Sequence, residues 1–261
     1  MIVAGYARVW AAVAAAAVAA AGAQQPSPEE QDRAIERARQ TAIHYSQALP
    51  DFMCTEVVRR FVESIRRGGM RSLDELTIQL GYSGQREQYR LLLVDGKPSE
   101  ATFESLYGAT SKGEFGGALQ LIFDKVSKAE FVWRGAATVR KQRVWTYGYR
   151  VPKATSRYYL ETRTSGNDAT VIVGYHGVVE IVPDGGETLH LSYEAEDIPK
   201  VFPVRGASTK VDYAPADVGG RQYLLPAKAV VEMRDPQGAT RNEVQFRDYR
   251  KFTADSNVTF K

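Results

Sequence analysis

Val178-Val179-Glu180-Ile181-Val182, Pro183-Asp184-Gly185-Gly186, Leu189-His190-Leu191-Ser192-Tyr193: the fold is decided by how this stretch is read. In the second run Leu189, Leu191 and Tyr193 alternate with His190, Ser192 and Glu194. Successive strand side chains point to opposite faces, so the alternation predicts a sheet with one buried and one wetter side. Pro183 fixes a turn φ and the two glycines accept positive φ, which makes the intervening segment a tight reversal.

Strand signals continue outward from this hairpin. Phe131 and Trp133 mark one strand, and Trp145, Tyr147, Tyr149 and Val151 line one face of the next, opposite Val144, Thr146 and Arg150. Tyr158 and Leu160 follow, then Val171 to Val173. After an irregular link from Ala195 to Pro203, further strands are expected at Lys210–Tyr213, Tyr223–Leu225, Ala229–Arg234 and Glu243–Phe252. Asp235-Pro236-Gln237-Gly238 is a turn between the last two.

Upstream, Leu76, Ile78, Leu80 and Tyr82 alternate, then reverse at Ser83-Gly84 into Tyr89, Leu91 and Leu93, closed by Asp95-Gly96. Phe52 to Ile65 satisfies a helical period as well as a strand. Its Val, Phe, Ile and Thr content, with Pro50 and Gly68-Gly69 as brackets, favours a strand. Lys97 to Thr110 reads as loop.

Two segments carry helix signals. Ser27-Pro28-Glu29-Glu30 places Ser at the N-cap, Pro at N1 and Glu at N3, and Ile35, Ala38, Ala42, Tyr45 and Leu49 form a one-sided stripe that Pro50 ends. Ser111-Lys112-Gly113-Glu114 repeats the capping spacing ahead of Phe115, Leu119, Ile122, Phe123 and Val126, although Gly116 and Gly117 weaken a helix there by about 1 kcal/mol each. The expectation is an α+β fold: a long, curved antiparallel β-meander, a half-barrel, with an N-terminal helix and a second helix packed on one side.

The first 23 residues read as an address. Arg8 precedes the apolar run Val9–Ala21, and Ala21-Gly22-Ala23 offers a small-x-small cleavage site. The run falls short of the ~20 apolar residues that a spanning helix needs. The reading is a signal peptide over 1–23, cleavage near Ala23, and a single domain over 24–261 in the periplasm or outside the cell, with no transmembrane segment after cleavage. A retained anchor is the alternative.

With 44% hydrophobic and 25% charged residues, a packed core is expected. Net charge is +3, with both signs interspersed, which does not make a nucleic-acid footprint. Cys54 is the one cysteine, so no internal disulfide forms and it reads as a small buried hydrophobe. Arg59, Arg60, Arg66, Arg67 and Arg71 read as a solvated strand end that deters edge pairing.

Catalytic sets fail on inventory. His44, His176 and His190 lack metal-ligand spacing, no serine sits in a G-x-S-x-G elbow, and no glycine run has phosphate-loop context. No catalytic residue, metal or cofactor is therefore assigned. The aromatic face remains: Trp133, Trp145, Tyr147 and Tyr149 on adjacent strands, with Tyr158 and Leu160 next in line. Ordinary core packing accounts for them, and so does a ligand-binding wall on a curved sheet.

The leader, the N-terminal helix, the meander, and the late strands around Leu225-Pro226 and Asn242-Glu243-Val244-Gln245-Phe246 together resemble the outer-membrane lipoprotein carrier superfamily. Tyr45–Cys54 and Asp248-Tyr249-Arg250-Lys251-Phe252 are also similar to uncharacterised exported bacterial proteins. The resemblance implies a half-barrel capped by helices, with a concave apolar face that holds acyl chains. The function expected is non-enzymatic binding of a lipid or a lipidated partner in the cell envelope. The alternatives are a module that holds or senses another envelope protein and, further off, a hydrolase built from dispersed residues.

Overall fold

The computed structural model describes residues 25–64, 68–101, 115–162 and 169–252. The expected leader, the capping sequence Ser111–Glu114, and Arg66 and Arg67 lie outside these residues.

Helix α1 spans Pro28–Ala48 and begins where the capping signals put it. The Ser27 backbone N–H donates to Glu30 Oε2 (2.8 Å), and the Glu30 N–H donates to Ser27 Oγ (3.3 Å). Ala34, Ile35, Ala38 and Ala42 form its buried stripe, continued by the half-buried Tyr45 and Leu49. Small residues on that stripe let the helix lie close to the sheet beneath it.

The strands are β1 Phe52–Ser64, β2 Met70–Ser83, β3 Arg86–Val94, β4 Lys97–Pro98, β5 Glu130–Val139, β6 Gln142–Val151, β7 Tyr159–Thr162, β8 Ala169–Ile172, β9 Gly174–Ile181, β10 Thr188–Glu196, β11 Gly206–Val218, β12 Arg221–Asp235 and β13 Gly238–Lys251. Eleven of them form one open antiparallel sheet in the order β4-β3-β2-β1-β13-β12-β11-β10-β9-β6-β5. Two joins are not between consecutive strands: β6 pairs with β9, and β1 pairs with β13, so the N-terminal strands continue the sheet from its last strand. The result is the expected α+β half-barrel, with both helices against one face.

Several local expectations change. The strands β7 and β8 pair only with each other, as a separate two-stranded sheet. Pro152 follows β6 and a 3-10 turn spans Lys153–Thr155, which leads the chain off the sheet and lets β9 pair with β6 directly. Tyr223–Leu225 and Ala229–Arg234 belong to one strand, β12. There the register slips past Ala227, beside Pro226, a residue with no N–H to give the ladder.

The second helix, α2, is only Gly117–Phe123; Asp124 ends it and caps a 3-10 turn over Lys125–Ser127, accepting from Val126 N–H at 2.9 Å. Val126 therefore leaves the buried stripe and is 61% exposed. Of the segment expected as loop, Lys97–Pro98 pairs briefly with β3 and residues 102–110 are outside the description.

The opening hairpin is present as β9–β10. Val182 and Gly186 close its turn through Val182 N–H to Glu187 O and Gly186 N–H to Val182 O, both 2.8 Å. A register slip between Thr188 and His190 turns Leu189 away from Leu191 and Tyr193, into a separate cluster with Val144 and Val182. The turn also seats α1: Arg37 Nη1 donates to Pro183 O (3.0 Å) and Thr41 Oγ1 to Gly185 O (3.1 Å).

On β1, Phe52, Cys54, Glu56, Val58 and Arg60 share the inner face by parity. Arg60 is thus buried, gripping Asp74 with two bonds of 2.6 and 2.5 Å, which corrects the reading of the whole arginine group as solvated. Arg59 and Arg71 are exposed. Cys54 is 3% exposed, and burial, with the Glu56 charge nearby, pushes its thiol pKa well up.

Candidate functional site: an aromatic wall facing the first helix

The inner face is not uniform. At its β5–β6 end it is a wall of rings. Trp133 on β5 meets Trp145 and Tyr147 on β6 edge-on, with centroids 5.4 and 5.5 Å apart. Phe131 adds edge contact with Tyr147 at 6.4 Å and lies 6.0 Å from Tyr149. Tyr149 continues to Tyr175 on β9 (6.2 Å), and Tyr158 contacts both Tyr175 (5.6 Å) and Tyr193 on β10 (5.2 Å).

Trp133, Trp145, Tyr147, Tyr149 and Tyr158 are thus brought into one connected set. Leu160 is not in it. Leu160 packs with Val173, Phe202 and Val204 in a second cluster, which Tyr158 also touches. Sequence reasoning missed Phe131, Tyr175 and Tyr193 as wall members. The signal was present, because Tyr175 and Tyr193 occupy inward parity positions on strands that flank the same turn.

Helix α1 and α2 close over this wall. Arg39 stands over the Phe131 ring at 5.6 Å and donates to Phe123 O at 3.0 Å, while Phe123 stacks on Phe131 at 5.7 Å. Tyr175 Oη donates to Leu121 O at 2.5 Å.

Polar satisfaction differs along the face. Tyr149 Oη donates to Ser192 O (2.8 Å), Tyr45 Oη to Leu224 O (2.8 Å) and Tyr249 Oη to Pro226 O (2.6 Å). By contrast, Tyr147 Oη and Trp145 Nε1 are buried and have no hydrogen-bond partner among the described residues. Tyr147 is 1% and Trp145 7% exposed. A buried donor left unmade costs about 1–3 kcal/mol. Burial raises the Tyr147 phenol pKa, with the Asp32 carboxylate of α1 adding to the effect, so the hydroxyl stays protonated and able to donate.

His176 and His190 lie on the outer face, with Nδ1 against Glu196 Oε1 (2.8 Å) and Asp212 Oδ1 (2.6 Å), and His44 is exposed on α1. Among the described residues no three His, Cys, Asp or Glu side chains gather as metal ligands. No described helix is long and apolar enough to cross a membrane.

No protein-family model matches this chain, and no curated protein matches it. Solved structures do. A LolA superfamily protein from Nitrosomonas europaea is similar with a TM-score of 0.42 and 7% identity, over 88% of this chain and 97% of that one. An outer membrane lipoprotein-sorting protein domain from Vibrio parahaemolyticus has a TM-score of 0.38 and 11% identity, over 85% and 94%. A DUF1329 family protein from Desulfovibrio piger has a TM-score of 0.36 and 11% identity, over 87% and 95%. At these identities the likeness is one of chain path and not of side chains.

Proposed function

We propose that this chain is an exported envelope protein, a single domain behind a cleaved leader, that binds a lipid or a lipidated partner against the aromatic wall and performs no catalysis. The observation that carries the proposal is the pair of buried, unmet donors, Tyr147 Oη and Trp145 Nε1, in a wall otherwise made of rings. An amphiphile supplies both things such a surface accepts: apolar chain for the rings and an ester, carboxyl or phosphate oxygen for the donors. The rings Trp133, Trp145, Tyr147, Tyr149 and Tyr158 would line the chain, and α1 would shift on its turn contacts to admit it.

Native mass spectrometry on protein purified gently from the envelope fraction tests the proposal. A mass excess that extracts into organic solvent supports it and gives the ligand class. A clean apoprotein mass, with no uptake of fatty acid or phospholipid, defeats it. The second reading, a module that holds another envelope protein, is favoured by how fully the rings fill the face with their own contacts. It predicts specific capture of a protein and no amphiphile.

A further inference from the structure

The sheet has two ends, and the large exposed apolar side chains are not shared evenly between them. Because neighbouring strands are antiparallel, the end of β6, the starts of β9 and β5, and the β10–β11 link belong to one rim. On it stand Val132 (58% exposed), Tyr159 (56%), Ile172 (49%) and Val201 (94%). Tyr159 and Ile172 are cross-strand partners on the outward side of the β7–β8 hairpin, whose inward side, with Leu160, packs onto the link.

The link itself is built to present Val201. Phe202 and Val204, which follow it, are buried at 6% and 2%, with Leu160 and Val173. Phe202 N–H bonds Pro199 O (2.9 Å) and Arg205 N–H bonds Arg234 O (2.7 Å), so the turn is pinned at both ends. Beside Val201 a cavity of about 330 Å³ is lined by Ile198 and Val204 together with Lys200 and Arg205. Lys153 is exposed on the adjoining 3-10 turn.

The charge here has a direction. Residues 199–205 contain Lys200 and Arg205 and no acid. Glu196, just before them, is held by Arg150 Nε (2.7 Å) and His176 (2.8 Å), and Asp124 by Arg157 (2.6 Å). Glu130 at the start of β5, Glu161 and Asp197 are the further acids of this rim, none of them within the link 199–205.

From these observations we infer that this lip docks on the surface of a lipid bilayer rich in anionic headgroups. Val201 enters the headgroup–acyl boundary. Tyr159 lies at headgroup depth, where an amphipathic ring is favoured. Lys153, Lys200 and Arg205 meet the phosphates while their stems cover apolar surface. A single inserted side chain with a few cations gives weak, reversible attachment, suited to touching a membrane and leaving it. The inference rests on the reading that the wall carries an amphiphile, for which such a landing gives a route of exchange.

The test is sedimentation of the protein beginning at Gln24, which holds every described element, with vesicles of phosphatidylethanolamine and phosphatidylglycerol. Binding is expected, and is expected to be abolished in high salt. Val201→Asp and the double variant Lys153→Glu, Lys200→Glu should each weaken it by about tenfold or more, with thermal melting unchanged. Variants that bind like the wild type, or a wild type that stays in solution with these vesicles, would overturn the inference. So would a dimer that Val201→Asp dissociates, since the lip would then face a second copy. Tryptophan emission separates this from the wall reading. A wall silent to soluble amphiphile, with Val201-dependent docking intact, removes the amphiphile and leaves the docking in place.

Discussion

Two regions of the inner face are both built of aromatic rings and finished differently. Around β1 and β2, Phe52 stacks on Tyr82 (5.1 Å, 12°) and meets Phe115 (5.3 Å) and Tyr249 (5.5 Å). Phe115 in turn meets Phe246 at 5.4 Å. Every hydroxyl in that nest is matched, Tyr82 to Ser46 O (3.1 Å) and Tyr249 to Pro226 O (2.6 Å). The β5–β6 wall has the rings but leaves Tyr147 Oη and Trp145 Nε1 without a hydrogen-bond partner among the described residues. Rings alone do not separate a core from a binding surface. The fate of their polar atoms marks the difference between these two regions, because a buried donor left unmade calls for a partner that the surrounding rings do not supply.

The comparison can be broken from either side. The nest should be the more costly to disturb. Phe52→Ala removes a fully buried ring and should cost about 3–5 kcal/mol in denaturant unfolding, with amphiphile binding by the remaining folded protein intact. Of similar size is Asp74→Ala, which leaves Arg60 buried without its carboxylate, at about 3–5 kcal/mol. Replacing both partners with apolar residues of similar volume should recover most of that loss.

Gly186→Ala acts on the wall's cover. Gly186 has φ +79°, and a Cβ there would lie 2.7 Å from the Arg37 backbone carbonyl. We expect a loss of about 1–3 kcal/mol, with faster hydrogen exchange along α1, since the turn is what α1 is seated on. An unchanged α1 exchange rate would show that this seat does not hold the helix.

The smallest effects are the sharpest. Tyr249→Phe should lose about 1 kcal/mol, because it deletes a made hydrogen bond and strands the Pro226 carbonyl. Tyr147→Phe deletes an unmade one, and should leave stability unchanged or raise it by up to about 1 kcal/mol, while weakening amphiphile binding. Equal losses from both variants would erase the distinction between the two regions. Cys54 gives a convenient clock for these experiments: its raised pKa and burial keep it unreactive to thiol reagents until the sheet opens.

Much of the fold was legible because period and punctuation agreed. Ser27, Pro28 and Glu30 marked the start of α1, and Pro183 to Gly186 marked the central turn. What the sequence could not carry was pairing between distant strands. Nothing local to Phe52 or Lys251 says that β1 lies beside β13. Bulges were equally silent, so Leu189 and the β12 slip at Pro226 could not be placed from alternation alone. Arg60 was read with its charged neighbours because composition hides parity, and its burial depends on Asp74, fourteen residues away. For the site, Trp133, Trp145, Tyr147 and Tyr149 followed from strand alternation. Leu160 was drawn in by sequence adjacency that the turn at Pro152 cancels. The unmet donors were beyond reach, since satisfaction is a property of the packed face.

The central claim is that the β5–β6 wall receives an amphiphile, and the chain carries its own reporter for it. Of three tryptophans, Trp10 precedes Gln24 and the other two are Trp133 and Trp145. Tryptophan emission of the protein beginning at Gln24 therefore reads the wall alone. Titration with a lysophospholipid below its micelle concentration should give a saturable spectral change, reduced in affinity by Tyr147→Phe and preserved in Tyr249→Phe. Emission that stays constant through the titration, in protein that still melts cooperatively, would contradict the account.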